Sequence, residues 1–156
     1  MKAILRSRAL SAFAASFALV ALAALGACSG MPASMRGNMS AGMGAGLQLT
    51  GAQEVPPLST SGVGTGTITV AADGSVSGSV TTTGVAGTMA HIHVGALGVN
   101  GPVIIPLTKT AEGVWAVPPG AKLTAEQLKS HQAGGLYVNV HTDANKGGEV
   151  RAQLKP

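Results

Sequence analysis

Among 156 residues there are four histidines and one cysteine, and three of the histidines fall in two short segments of alternating character. In Ala90-His91-Ile92-His93-Val94 and in Leu136-Tyr137-Val138-Asn139-Val140-His141, every second residue is polar and the residues between are aliphatic. Side chains alternate across a β-strand, so His91 and His93 share one face of the first segment. Tyr137, Asn139 and His141 share one face of the second. A third segment, Glu149-Val150-Arg151-Ala152-Gln153-Leu154, splits the same way, with Glu149, Arg151 and Gln153 opposite Val150, Ala152 and Leu154. If the three strands are neighbours, His91, His93 and His141 converge. Imidazoles at i and i+2 stand on Cα atoms about 6.6 Å apart, near enough for one metal ion to bridge them. Copper, ahead of zinc, is the metal this set suggests, since both suit imidazole. Tyr137, Asn139, Glu149 and Arg151 are the residues expected to orient the rings from outside. The bland alternative is a solvated sheet face, polar because water bathes it, with the histidines in a hydrogen-bond network and Arg151 paired to Glu149. Serines and threonines are plentiful, but no Gly-x-Ser-x-Gly elbow occurs and Asp73 and Asp143 fall in turns. No catalytic set is found.

The elements that must carry these residues read as strands and turns. Leu47 to Thr50 is a short strand, followed by a corner at Glu54-Val55-Pro56-Pro57, where proline ends pairing. Gly66 to Ala71 and Ser75 to Thr82 flank Asp73-Gly74, a hairpin signal. Strands follow at Ala90 to Val94, Val103 to Leu107 and Gly113 to Val117, with a glycine-punctuated loop from Gly95 to Gly101. Thr124 and Gln127 form a capping-box pattern that opens one helix over 125–132, stopped by Gly134-Gly135. His131 falls near its end, where a charged ring would suit the helix dipole. Leu136 to His141 and Glu149 to Leu154 form a closing hairpin around Asn145-Lys146-Gly147-Gly148. The expectation is an all-β domain over 47–156: a small antiparallel sandwich or barrel, Greek-key-like, with one short helix.

The first 27 residues have a different character. Lys2, Arg6 and Arg8 precede an apolar run from Leu10 to Leu25, shorter than the ~20 apolar residues of a membrane span. Leu25-Gly26-Ala27-Cys28 resembles the lipobox of bacterial lipoproteins, which implies cleavage before Cys28 and a lipid on its sulfur. Ser29 after the cysteine, where Asp is absent, resembles outer-membrane sorting. The chain is therefore expected to be exported and held on a membrane facing the periplasm or cell surface. Residues 28–46 read as a flexible Gly/Ala/Met tether. Met31, Met35, Met39 and Met43 recur every fourth residue there, a Cu(I)-type thioether ladder on one reading and chance composition on the other. Losing residues 1–27 removes three of ten basic residues and no acidic ones, so the net charge drops from +4 to +1. No basic run or stacking aromatic cluster remains, and nucleic acid is excluded as a partner. With Cys28 taken by lipid, no internal disulfide is possible, and Trp115 and Tyr137 are the only aromatics left to the domain.

Leu49-Thr50-Gly51-Ala52-Gln53-Glu54-Val55-Pro56-Pro57 resembles the opening of the CHRD domain, the repeated module of chordin also found in bacterial secreted proteins. The histidine segment through Gly95, Asn100-Gly101-Pro102-Val103, Gly135 to Thr142 and Gly148 to Leu154 resemble later blocks of that family, in its order. Ala152 stands where the family usually has glycine, a departure that touches only one tight packing spot. The resemblance implies an all-β extracytoplasmic domain and supplies no activity. The His-x-His strand is also similar to copper–zinc superoxide dismutase, but four histidines are too few for that enzyme's two metals. Three functions follow: a lipid-anchored module binding copper or zinc through His91, His93 and His141; a protein-interaction or structural module that binds no metal and whose partner the sequence does not name; or a redox enzyme built on a copper site.

Overall fold

The computed structural model describes residues 46–156. The signal peptide read over 1–27, Cys28 and the tether up to residue 45 lie outside the described residues.

Nine strands form one antiparallel sheet: β1 Leu47–Thr50, β2 Val63–Val70, β3 Val76–Thr83, β4 Met89–Val94, β5 Val103–Pro106, β6 Thr108–Ala111, β7 Val114–Ala116, β8 Leu136–His141 and β9 Val150–Gln153. Their spatial order is β5-β4-β8-β9-β1-β2-β3-β7-β6. The two ends of that order are consecutive in the chain, separated by Leu107 alone. One segment thus pairs with β4 through its first half and with β7 through its second. The Leu107 N–H still donates to Ala90 O at 2.9 Å. The sheet curls into a nearly closed barrel, and the exposed edges that invite aggregation are largely removed.

The barrel's interior is aliphatic. Leu49, Val80, Ala90, Ile92, Leu136, Val138, Val140, Val150 and Ala152 fill it with Trp115. Each fully buried side chain of this size contributes on the order of 1.5–3 kcal/mol.

Local signals resolve as expected. At the β2–β3 turn Asp73 Oδ1 accepts from the Ser75 N–H at 3.0 Å, and Gly74 has φ +86°, which a side chain would resist. The helix α1, Ala125–Gln132, carries both halves of its capping box: Gln127 N–H donates to Thr124 Oγ1 at 3.2 Å and Thr124 N–H donates to Gln127 Oε1 at 2.8 Å. The hairpin strands run 63–70 and 76–83, longer at their outer ends than the sequence pattern suggests. The strand β6, Thr-Lys-Thr-Ala, is exposed throughout, so it carries no burial periodicity by which to read it.

Candidate metal centre

The sheet order places β4, β8 and β9 side by side. Register sets His91 opposite Asn139, His93 opposite Tyr137, and Asn139 opposite Arg151. The alternation that sends Ala90, Ile92, Val138, Val140 and Val150 into the barrel sends the polar set to its outer face. The three rings converge there: centroids lie 4.9 Å apart for His91–His141, 5.6 Å for His91–His93 and 6.0 Å for His93–His141. One nitrogen from each ring lies within 4.8 Å of the other two.

This face is not solvated, contrary to the simplest reading of an alternating strand. Tyr137, Asn139, His93, His141 and Arg151 are all buried, Arg151 to 1% exposure. The cover is the loop Gly95–Gly101. Arg151 donates to Val99 O at 3.0 Å, to Asn100 Oδ1 at 3.0 Å and to Ala96 O at 3.5 Å, so its charged head satisfies the loop's inward-facing acceptors. Gln153 Nε2 donates to the loop at Gly95 O, 2.9 Å away, and to the turn after α1 at Gly134 O, 2.7 Å away. The guanidinium also lies 3.4 Å over the Tyr137 ring. The expected Arg151–Glu149 pair does not form. Glu149 is instead tied by Thr60, Thr142 and Asn145, and the Thr60 hydroxyl foremost holds its carboxyl below the usual range. It reaches the rings only indirectly, by bracing the turn that follows His141.

Two rings are held by backbone carbonyls. His93 Nδ1 sits 2.9 Å from Gly101 O, and His141 Nδ1 sits 2.9 Å from Lys146 O. A carbonyl can only accept, so Nδ1 carries the proton in both and Nε2 presents a bare lone pair. His141 Nε2 faces His91 Nδ1 at 3.0 Å, while His93 Nε2 is buried without a hydrogen-bond partner. Burial, the largest influence on each ring, holds all three below the usual imidazole range. They are therefore neutral at pH 7, the form that ligates a metal. Three convergent, neutral rings, two with their tautomers fixed from outside, could hold a metal ion in place of the His91–His141 contact.

Glu54 is the residue that sequence reasoning passes over. The sequence presents it only as part of a proline corner, yet it is 5% exposed, and burial pushes its carboxyl up to about 7 against the pull of Arg151. Asn139 stands beside both Glu54 and His93. The carboxyl packs onto Gly148, where an added Cβ would overlap it. The available signal is an acidic residue ahead of two prolines, in a segment too short to show a burial pattern. His131 stays apart, as expected, but it is buried and its pKa is lowered by that burial, so it is uncharged and makes no ion–dipole contribution.

No curated protein and no solved structure matches this chain. The family profile described as the CHRD domain matches residues 46–154, which takes in every strand and all the residues of the histidine cluster. The chain belongs to the CHRD domain family.

Proposed function

We propose that this CHRD domain is a binding module whose ligand is a metal ion, copper first and zinc second, held by His91, His93 and His141. The observation that carries the reading is the meeting of three ring nitrogens within 4.8 Å, on a sheet face that a loop covers on the His93 side and leaves open on the Met89 side. Copper leads because the order of divalent-metal affinities at nitrogen donors places it above zinc. Bound there, the ion supplies a Lewis-acidic, redox-capable centre. The protein's own residues do the positioning: Gly101 O and Lys146 O orient two rings, and the Tyr137–Arg151 stack excludes water from the inner side. We further propose that Cys28 carries a lipid, so that the domain works outside the cytoplasm on a membrane, the outer one in a two-membrane cell. The lipobox-like tetrapeptide that ends at Cys28 supports this.

The test is metal content and uptake in protein made without a His-tag. About one equivalent of Cu(I) or Cu(II) is expected, with loss of binding in His93→Ala and His141→Ala. Absence of Cu(I), Cu(II) and Zn(II) uptake overturns the metal reading. A second reading, a protein-interaction module, is favoured by one observation: Leu97, Val99 and Val103 expose apolar side chains around the covering loop. A metal-free protein whose binding to a partner is lost on Leu97→Ser would establish it. Fatty-acid labelling abolished by Cys28→Ala tests the anchor.

A further inference from the structure

Met89 is the only methionine between residues 46 and 156, and it is 50% exposed. A flexible thioether usually fills gaps in a core, and a single exposed apolar residue needs no explanation by itself. Its position supplies one. The pleat that turns Ala90 and Ile92 inward sets Met89 on the same face of β4 as His91 and His93. The register pairs Met89 directly with His141. Its Cβ therefore stands about 5 Å from that of His141, and its Cα about 6.6 Å from that of His91. Exposure rises outward along the strand, from buried His93 through partly buried His91 to Met89. The inner side of the cluster is closed by Tyr137 and the Gly95–Gly101 loop, so the open side is the one on which Met89 stands.

Building on the metal reading above, we infer that Met89 is a fourth ligand, its Sγ closing the three-histidine site on the solvent side. Three rotatable bonds let the thioether swing over the ring nitrogens without moving the strand. A soft sulfur donor favours Cu(I) and adds little for Zn(II), so Met89 also gives the site its discrimination between the two.

The experiment compares full-length chain in a Cys28→Ala background with the same chain carrying Met89→Leu, each loaded with one equivalent of Cu(I). Leucine keeps the volume at an exposed position, so folding is not at stake. X-ray absorption is expected to show a copper–sulfur shell that weakens in Met89→Leu. Competition titration should show Cu(I) binding weakened about tenfold, the scale of losing one supporting group at a metal, with Zn(II) binding unchanged. Met31, Met35, Met39 and Met43 are common to both proteins and cancel in the difference. An unchanged sulfur shell and unchanged Cu(I) affinity overturn the role of Met89 while leaving the three histidines standing. Failure of the parent chain to take up Cu(I) overturns the role of Met89, and refusal of Cu(II) and Zn(II) as well overturns the metal reading itself.

Discussion

The Tyr137 ring lies flat against the His93 ring, with centroids 4.7 Å apart and planes 6° from parallel. Arg151 covers the tyrosine's other face, and Gly101 reaches the edge of both rings, donating its N–H to the Tyr137 hydroxyl at 3.2 Å and accepting from His93. His93 is thus fixed by its partners, and a ligand binding there would find the ring already oriented. Replacing Tyr137 with Ala should destabilise the metal-free fold by about 3–5 kcal/mol, read by chemical denaturation. Tyr137→Phe keeps the stack and should lose about 1 kcal/mol, the worth of the bond to Gly101.

Arg151→Met keeps the length of the side chain and removes its donors. Val99 O, Ala96 O and Asn100 Oδ1 lose the guanidinium donors that reach them. A loss of about 2–3 kcal/mol is expected, concentrated in the covering loop. Amide hydrogen exchange should speed up over residues 95–101 well before it does in β2 and β3. Uniform loss of protection across the barrel would contradict the loop-sealing role.

Gly101 lies outside the left-handed region of φ, yet an added Cβ would overlap Val94 O. Gly101→Ala should push the loop off β4, costing about 1–3 kcal/mol by overpacking. The same shift withdraws the carbonyl that holds His93 Nδ1. Metal affinity should fall about 10–100-fold, measured by competition at a temperature where the variant is folded.

The pH dependence has two opposed sources. Glu54 holds its proton up to about 7 in the folded state, above its ordinary 4.5, so its contribution to stability is complete below pH 4.5 and fades as pH rises to about 7. His91, His93 and His141 are depressed below the ordinary 6.5, so theirs is complete above pH 6.5 and fades as pH falls. Glu54→Gln removes only the first. Urea denaturation across pH 4.5–7.5 should show the variant gaining on the parent by up to roughly 3 kcal/mol as pH rises. A difference that stays flat across that window would rule out the buried, protonated carboxyl.

Much of the fold is legible in the sequence because its signals are local. Asp73-Gly74 demands a turn, Thr124 with Gln127 demands a helix start, and the alternation in β4, β8 and β9 separates the two faces. The convergence of His91, His93 and His141 follows from parity once those strands are neighbours, which the sheet order supplies. What parity cannot tell is what lies above a face. A strand wetted on one side and a strand roofed by a loop carry the same alternation. The roof over this one depends on contacts from Arg151 to residues 51–55 positions away. Glu54 escapes a sequence reading for the same reason, since its burial is made by Gly148 and Asn139 across the fold.

The pairing of β1 with β9 sets the domain's polarity. Thr50 is opposite Arg151, and antiparallel register carries Leu47 toward the end of the strands shared by Gln153, Tyr137 and Val94. Met89 and His141 occupy the other end. The N-terminal end of β1 therefore lies at the pole opposite Met89 and His141, so the chain enters the barrel at the end farthest from the open side of the histidine cluster.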